Sequence, residues 1–368
     1  MTGAIRRWSD AVSVAGAKVT IGYDEGEAPL DTGPTAWARI RHHVVGPLKV
    51  PTDMDRQLRE IDLLVLHSGW TAHNLRAAAS ARALGVPYLL EPRGAYDPHI
   101  LRRRRTLKRL WWQAGEHTLV DRSVAIHAFF EEERSHFSAL GYGGRAVVAP
   151  NGVQTPDESR WSGADSGYLL WLGRFDPEHK GLDLLVDAVA SLPPARRPLI
   201  RLHGPDWRGG KRRTEERIAR HELGRWVHVG PAVYGPEKQR LLVEAAAFLY
   251  PSRWDACPNA VLEAVSMGVP TLCTPYPLGA WLGRRGGVML AEASASSLAE
   301  ALLELRERGR MKAVGEAGAA LARSDFRWAS VAHRWLDQVE TCLGRSQRDE
   351  VTAPRTAERQ RGAVGTDN

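Results

Sequence analysis

Two carboxylates, Asp255 and Glu263, stand eight positions apart in FLYPSRWDACPNAVLEAVSMGVPTLCT, residues 248–274. The stretch reads as a strand over 248–250, a loop, a short helix over about 259–267, a stop at Gly268 and a second strand over 269–273. Asparagine is a strong N-cap, so Asn259 is expected to open that helix and to leave the amide N–H groups of 260–262 without carbonyl partners. Such an end attracts anions. Carboxylates on either side can then grip hydroxyl groups while the backbone holds phosphate, a division of labour that suits a nucleotide carrying a sugar.

Positioning these groups takes more than one core. The chain has 368 residues, 43% hydrophobic and 25% charged, which indicates a globular protein of two domains. The net charge of +7 is compatible with nucleic acid, an anionic membrane surface, an acidic substrate or simply a basic solvated surface. Cys257, Cys273 and Cys342 show no paired spacing, so neither a disulfide framework nor a zinc site is indicated, and a reducing, cytoplasmic compartment is expected. No apolar run approaches the roughly twenty residues of a spanning helix, and the N-terminus lacks a signal-peptide core.

Residues 4–16 pattern as an amphipathic helix with Ile5, Trp8, Val12 and Ala15 on one face, followed by a strand over 18–22. A Rossmann-like half starts with a strand and a Gly-rich turn; neither is present, so either residues upstream are missing, the favoured expectation, or the first strand has been lost. The apolar run IDLLVL, 61–66, predicts a buried parallel strand that delivers His67 to its carboxyl end. A strand over 87–90 feeds EPRGAYDP, which carries Arg93. His67 either orients an acceptor or caps its strand, and Arg93 is a candidate partner for a phosphate or acidic acceptor. Residues 101–112, LRRRRTLKRLWW, predict one basic amphipathic helix, either a solvated face or an interfacial membrane contact. With no second basic stripe interleaved with aromatics, nucleic acid is not expected. The strand and turn over 124–130 place His127 at the strand's end, as a functional or a satisfied structural histidine.

A strand over 146–153 ends in Pro-Asn-Gly, and the polar 154–166 follows as a linker. Beyond it strands and helices alternate: a strand over 168–172 ending in Gly173 and Arg174, a loop carrying Lys180 to a helix over 182–192, and a strand over 199–203 before Gly204. A strand over 227–229 then precedes Gly230 and Tyr234. This order predicts a parallel, doubly wound sheet. Residues 326–343 form a last amphipathic helix striped by Trp328, Val331, Trp335 and Val339, and 344–368 have the composition of a disordered tail.

The frame of Asp255, Pro258, Asn259, Glu263, Ala264, Gly268 and Pro270, with the Gly173-Arg174 and Lys180-Gly181 elements, resembles the signature of the retaining GT-B glycosyltransferases of family four. The resemblance covers about 1–343 and is strongest over 168–275. It implies two Rossmann-like domains facing a crevice: an acceptor domain over 1–152, a linker over 153–166, a donor domain over 167–325, and a terminal helix over 326–343 crossing back to the first domain. It further implies metal-independent transfer from a nucleotide-diphosphate sugar, with no cofactor. Glu263 would hold the ribose, Asp255 a donor-sugar hydroxyl, and Arg174 with Lys180 the departing diphosphate. Gly173, Gly204, Gly230, Tyr234, Pro258, Asn259, Ala260 and Val261 would line the donor, while His67, Arg93 and His127 would face the acceptor or the reaction centre. Acceptors would be a glycan, a lipid-linked saccharide or a small molecule. Arg93 stands where many relatives carry His, and Asp255 where many carry Glu, one methylene longer. The alternative expectation is a nucleotide-binding homologue that does not transfer sugar.

Overall fold

The computed structural model describes residues 2–23, 34–39, 42–45, 48–51, 54–157, 160–162, 167–305 and 308–344. The expected tail beyond Gly344 and part of the expected linker lie outside them. The first described element is the helix Thr2–Val14, followed by β1 (Thr20–Tyr23) and β2 (Ala36–Arg39), which pair in parallel, and by the antiparallel pair β3 (His42–Val45) and β4 (Leu48–Pro51).

Two larger parallel sheets organise the remainder. In the first half β5 (Leu64–His67), β6 (Tyr88–Glu91), β7 (Ala125–Ala128) and β8 (Ala146–Val148) lie in sequence order. In the second half β9 (Tyr168–Leu172), β10 (Leu199–His203), β11 (Val227–Gly230), β12 (Ala247–Tyr250), β13 (Thr271–Cys273) and β14 (Met289–Leu290) assemble in the order β11-β10-β9-β12-β13-β14. Every residue of β9 and β12 is buried, as expected for strands covered on both faces. The strand order reverses between β9 and β12, and open α/β sheets bind ligands outside the carboxyl ends of strands at such a point. The expected α/β architecture of two parallel sheets is therefore observed.

Glycine makes two of the approaches there possible. Gly181 (φ 64°) joins the helices Pro177–Lys180 and Leu182–Ser191, and a Cβ on it would lie 1.8 Å from the Pro251 carbonyl oxygen. A Cβ on Gly204 would lie 1.6 Å from the Gly173 carbonyl oxygen, so the turns after β9 and β10 touch backbone to backbone. The following helix buries Leu182, Leu185, Val186 and Val189, the stripe a 3.6-residue period dictates.

A third core lies at the seam between the halves. Trp8 and Val12 of the first helix pack with Leu89, Val147 and Ala149 and with Val331, Trp335 and Val339 of the helix Trp328–Cys342. Gln338 clasps β8 by accepting from the Val148 N–H at 2.8 Å and donating to its carbonyl at 3.0 Å.

Two local expectations are corrected. Residues 101–112 are not one helix: the helix Pro98–Arg102 ends, Arg104 adopts a left-handed φ of 51°, and Arg105–Trp111 starts afresh before running into the π-helical turn Trp112–Glu116. His127 lies inside β7, not at its end; the continuous apolar run gave no sign of where pairing stops.

Candidate active site

At the reversal of strand order, β9 delivers Gly173 and Arg174, the next turn delivers Lys180, and β12 delivers Tyr250 and then Asp255. Lys180, 8% exposed, places Nζ 2.5 Å from Asp255 Oδ2 and donates to the Tyr250 hydroxyl at 2.9 Å. That hydroxyl in turn donates to Asp255 Oδ2 at 2.9 Å, and Asp255 Oδ1 accepts the Ala256 N–H at 3.0 Å. Three donors therefore meet a carboxylate with about four acceptor positions, leaving Oδ1 room for a further hydroxyl. Burial alone would raise the Asp255 carboxyl, but the Lys180 and His179 charges and the bonds from Lys180 and Tyr250 hold it below its ordinary value. Burial, then the Asp255 charge, pushes the Tyr250 phenol well above its ordinary value, so it stays a neutral donor.

Arg174 is exposed, with its guanidinium carbon 4.3 Å from the centre of the Trp207 ring. Its charge reaches both Tyr250 and Asp176. A planar guanidinium stacked on an indole keeps its edge donors available.

The helix Asn259–Ser266 follows Asp255, and here the expected cap is corrected. Pro258 occupies the N-cap position without a side-chain bond, and Asn259 is the first helical residue. The Pro258 carbonyl accepts from Val261 at 3.1 Å and from Leu262 at 3.3 Å, so the open amides are those of Asn259 and Ala260. The shift follows from Pro258, whose fixed φ enters the helix without a side-chain acceptor. Val261 is fully buried and its N–H is taken by the Pro258 carbonyl, so its side chain does not line the expected donor site. One turn on, Glu263 has a side chain 15% exposed and is paired with Lys238 at 2.7 Å and with Arg7 at 3.4 Å.

The first-half candidates converge on a residue not singled out in the sequence, Glu91. His67 Nδ1 lies 2.9 Å from Glu91 Oε2, Arg93 Nη2 lies 2.7 Å from Oε1, and His127 Nδ1 lies 3.5 Å from Oε2. Burial opposes ionisation of Glu91, but the three basic neighbours hold it well below the ordinary carboxylate range. His127 is 2% exposed, bonds the Ala149 carbonyl oxygen through Nε2 at 2.7 Å, and is flanked by Trp8 and Phe129. His67 and Arg93 keep 24% and 12% of their side chains exposed. Ser68, Trp70 and Arg93 all have positive φ, 73°, 63° and 50°, in the turns at the carboxyl ends of β5 and β6; such strain clusters at functional sites.

Other candidates are spread more widely. Gly173 and Gly204 meet each other through the turn contact already described, with Gly173 immediately before Arg174. Gly230 closes β11 against the His203 ring, and Tyr234, 71% exposed, precedes the helix Gly235–Glu244 that carries Lys238. Sequence reading did not single out Glu91, Lys238, Tyr250 or Trp207. Glu91 had a legible signal, a charge closing an apolar strand before a Pro-Arg-Gly turn; Lys238 had none beyond one cation on a polar helix.

Asn151 of the Pro-Asn-Gly turn, 3% exposed, joins the halves beside this site. Its Oδ1 accepts from Trp8 Nε1 at 2.9 Å, and its Nδ2 donates to the Cys257 carbonyl at 3.0 Å.

Comparison with known proteins agrees with this fold. Residues 4–152 match the family model described as "Glycosyl transferase 4-like domain", and residues 166–308 match "Glycosyl transferases group 1". No curated protein matches the sequence. Among solved structures, sucrose-phosphate synthase from Thermosynechococcus elongatus is similar with a TM-score of 0.73 at 16% identity, covering 93% of each chain. Anabaena HepE, solved with UDP-glucose, also gives 0.73 at 17% identity, covering 92% of this chain and 96% of its own. WaaG, a glycosyltransferase involved in lipopolysaccharide biosynthesis, gives 0.66 at 17% identity, covering 91% and 94%.

Proposed function

Since the chain belongs to the GT-B group 1 glycosyltransferases, we propose that it moves a sugar from a nucleoside-diphosphate sugar to an acceptor hydroxyl with retained anomeric configuration, in glycan, glycolipid or glycoside biosynthesis. The observation that carries this reading is the Lys180–Asp255 pair at the reversal of strand order, beside Arg174 and the open amides of Asn259 and Ala260.

In this reading the bond from the sugar anomeric carbon to the diphosphate breaks, and the bond to the acceptor oxygen forms on the same face. The acceptor hydroxyl passes its proton to the departing diphosphate oxygen, which carries the charge that develops as its bond to the sugar breaks. Arg174 and Lys180 meet that charge in a partly dry site, where fixed cations outperform water. Asp255 Oδ1 accepts from a sugar hydroxyl, and Glu263 exchanges Arg7 or Lys238 for ribose hydroxyls. The reading assigns the leaving-group charge to these cations rather than to a metal, so transfer is expected to survive EDTA. HepE was solved with UDP-glucose, which makes UDP-sugars the first donors to try, followed by GDP- and ADP-sugars. Release of nucleoside diphosphate from one of them by wild type, lost in Lys180→Ala, supports the reading; no release from any of them opposes it.

The acceptor side adds a membrane contact to this reading. Arg102, Arg104, Arg105 and Arg109 are exposed beside Leu107 and Leu110, which are 56% and 60% exposed. Cations around exposed leucines on a short helix suit an anionic lipid surface, and with it a lipid-linked acceptor at the inner membrane face. No described helix is long and apolar enough to cross a membrane. Flotation with anionic vesicles is expected to weaken when Arg102, Arg104, Arg105 and Arg109 are changed to Glu; unchanged flotation opposes the contact.

A further inference from the structure

A stack of rings crosses the seam between the halves beside the Lys180–Asp255 pair. Trp254, immediately before Asp255, has an indole only 7% exposed. The ring of His179, immediately before Lys180, lies parallel to it, with centroids 4.7 Å apart and planes 3° apart. From the first half, His99 of the helix Pro98–Arg102 stacks on the same indole at 5.1 Å and 10°. Arg103, at the end of that helix, places its guanidinium carbon 5.0 Å from the ring centre. Arg103 also pairs at 2.7 Å with Glu178, which shares the helix Pro177–Lys180 with His179 and Lys180.

Within the second half the two segments are already one unit. The His179 carbonyl accepts from the Arg253 N–H at 3.0 Å and from the Ser252 hydroxyl at 2.9 Å, and Arg253 pairs with Asp183 at 2.7 Å. Within this unit the His179 ring already stacks on the indole, and the first-half groups add to that constraint. Trp254 Nε1 has no hydrogen-bond partner among the described residues, so contacts on the ring faces set its orientation. Imidazole and guanidinium groups over a flat ring supply that, and stacked geometry is specific in both angle and offset.

We propose that His99 and Arg103, acting through Trp254, form a clamp by which the acceptor-side half sets the register of the Lys180–Asp255 pair for transfer. The proposal deepens the sugar-transfer reading and rests on it for its consequence. His99, Arg103 and Trp254 are positioning residues, and neither His99 nor Arg103 belongs to the cluster that meets the donor. When the halves separate, Trp254 loses the first-half contacts on its ring, and Asp255, the next residue, keeps its bonds to Lys180 and Tyr250 but loses the alignment that the clamp imposes. Closure of the crevice and competence of the donor cluster thereby become one event, in keeping with enzymes whose closing completes the reacting constellation.

The test compares wild type with a His99→Ala/Arg103→Ala double variant of the full chain. Amide hydrogen exchange in peptides covering 177–181 and 252–257 is expected to accelerate by about fivefold or more, a local opening, while β9 and β12 exchange as in wild type. Steady-state transfer from a UDP-sugar is expected to lose about tenfold in kcat, as small misplacements do, with KM for the donor held within about twofold, the signature of an interaction made only in the transition state. Arg103→Lys combined with His99→Phe, which keeps a cation and a ring, should restore both readouts. Wild-type exchange in those two peptides, or a rate loss accompanied by faster exchange throughout the protein, would overturn the clamp. The exchange measurement needs no substrate, so a wild type that transfers no sugar counts against the transfer reading and not against the clamp.

Discussion

Lys180 donates to both Asp255 and Tyr250 while lying beside the proposed path of the diphosphate. Replacing it with Ala takes a cation from the departing group and leaves Asp255 without its charged partner. Kinetic assays are expected to show a kcat loss of about a hundredfold or more; Lys180→Arg, which keeps charge but not shape, should recover part of it. Asp255 also makes a stability prediction. Its folded carboxyl titrates below the ordinary value of 3.8, so its contribution is present above that value and is lost as pH falls through the lower folded one. Melting curves of Asp255→Asn and wild type should therefore differ by a constant amount near neutral pH and converge only in acid. A gap that closed between pH 5 and 7 would contradict this assignment. The carboxylate pair and both cations were legible because they fall in one frame of charged, glycine and proline residues, Gly173-Arg174, Lys180-Gly181 and Asp255 to Pro270. Tyr250 was not, since a tyrosine closing a buried strand looks like any core aromatic.

Among the elements, turns carry more of the site than helices do. Gly181 combines φ 64° with a neighbouring carbonyl inside the volume of a Cβ, so Gly181→Ala should cost at least about 1–2 kcal/mol for the left-handed backbone alone, visible in denaturant unfolding, and should displace Lys180. A second element-scale effect comes from the turn after β7. Glu133 is buried and accepts from the Phe129 and Phe130 amides at 2.8 and 3.0 Å, yet burial pushes its carboxyl up to about 8. A folded value above the unfolded one means that the native state binds the proton more tightly, so this group's contribution is full below about 4.5 and declines as pH rises towards about 8. Glu133→Gln should flatten that decline in melts between pH 5 and 8; an unchanged slope would show that Glu133 is ionised when folded. Periodicity located β1 and every strand of the two larger sheets but β14, because continuous apolar runs have no other home than a covered parallel sheet, and it gave no sign of β2, β3, β4 or β14. It could not show the break at Arg104, where a helix-forming composition persists through a left-handed residue, nor the cap at Pro258, where local preference for Asn yields to the path of the preceding loop.

For the whole molecule, the seam is where sequence reading had least to offer, since its contacts join residues far apart in the chain. Asn151 shows the point: a Pro-Asn-Gly turn looks like a linker, yet its side chain bridges Trp8 and Cys257 across 143 and 106 positions. Asn151→Ala leaves a buried indole N–H and a buried carbonyl unpaired and should cost about 1–3 kcal/mol, with faster proteolysis between the halves as a second readout. The account stands or falls on a diphosphate seated between the helix Asn259–Ser266 and the cations after β9. The most direct measurement is thermal and calorimetric titration of wild type, Arg174→Ala and Lys180→Ala with nucleoside diphosphates and their sugars. One nucleoside diphosphate is predicted to stabilise wild type by about 2.7 kcal/mol at a hundredfold excess over Kd and to lose at least about tenfold in affinity with either substitution. Binding by none of them, or binding that both substitutions leave untouched, would contradict the account.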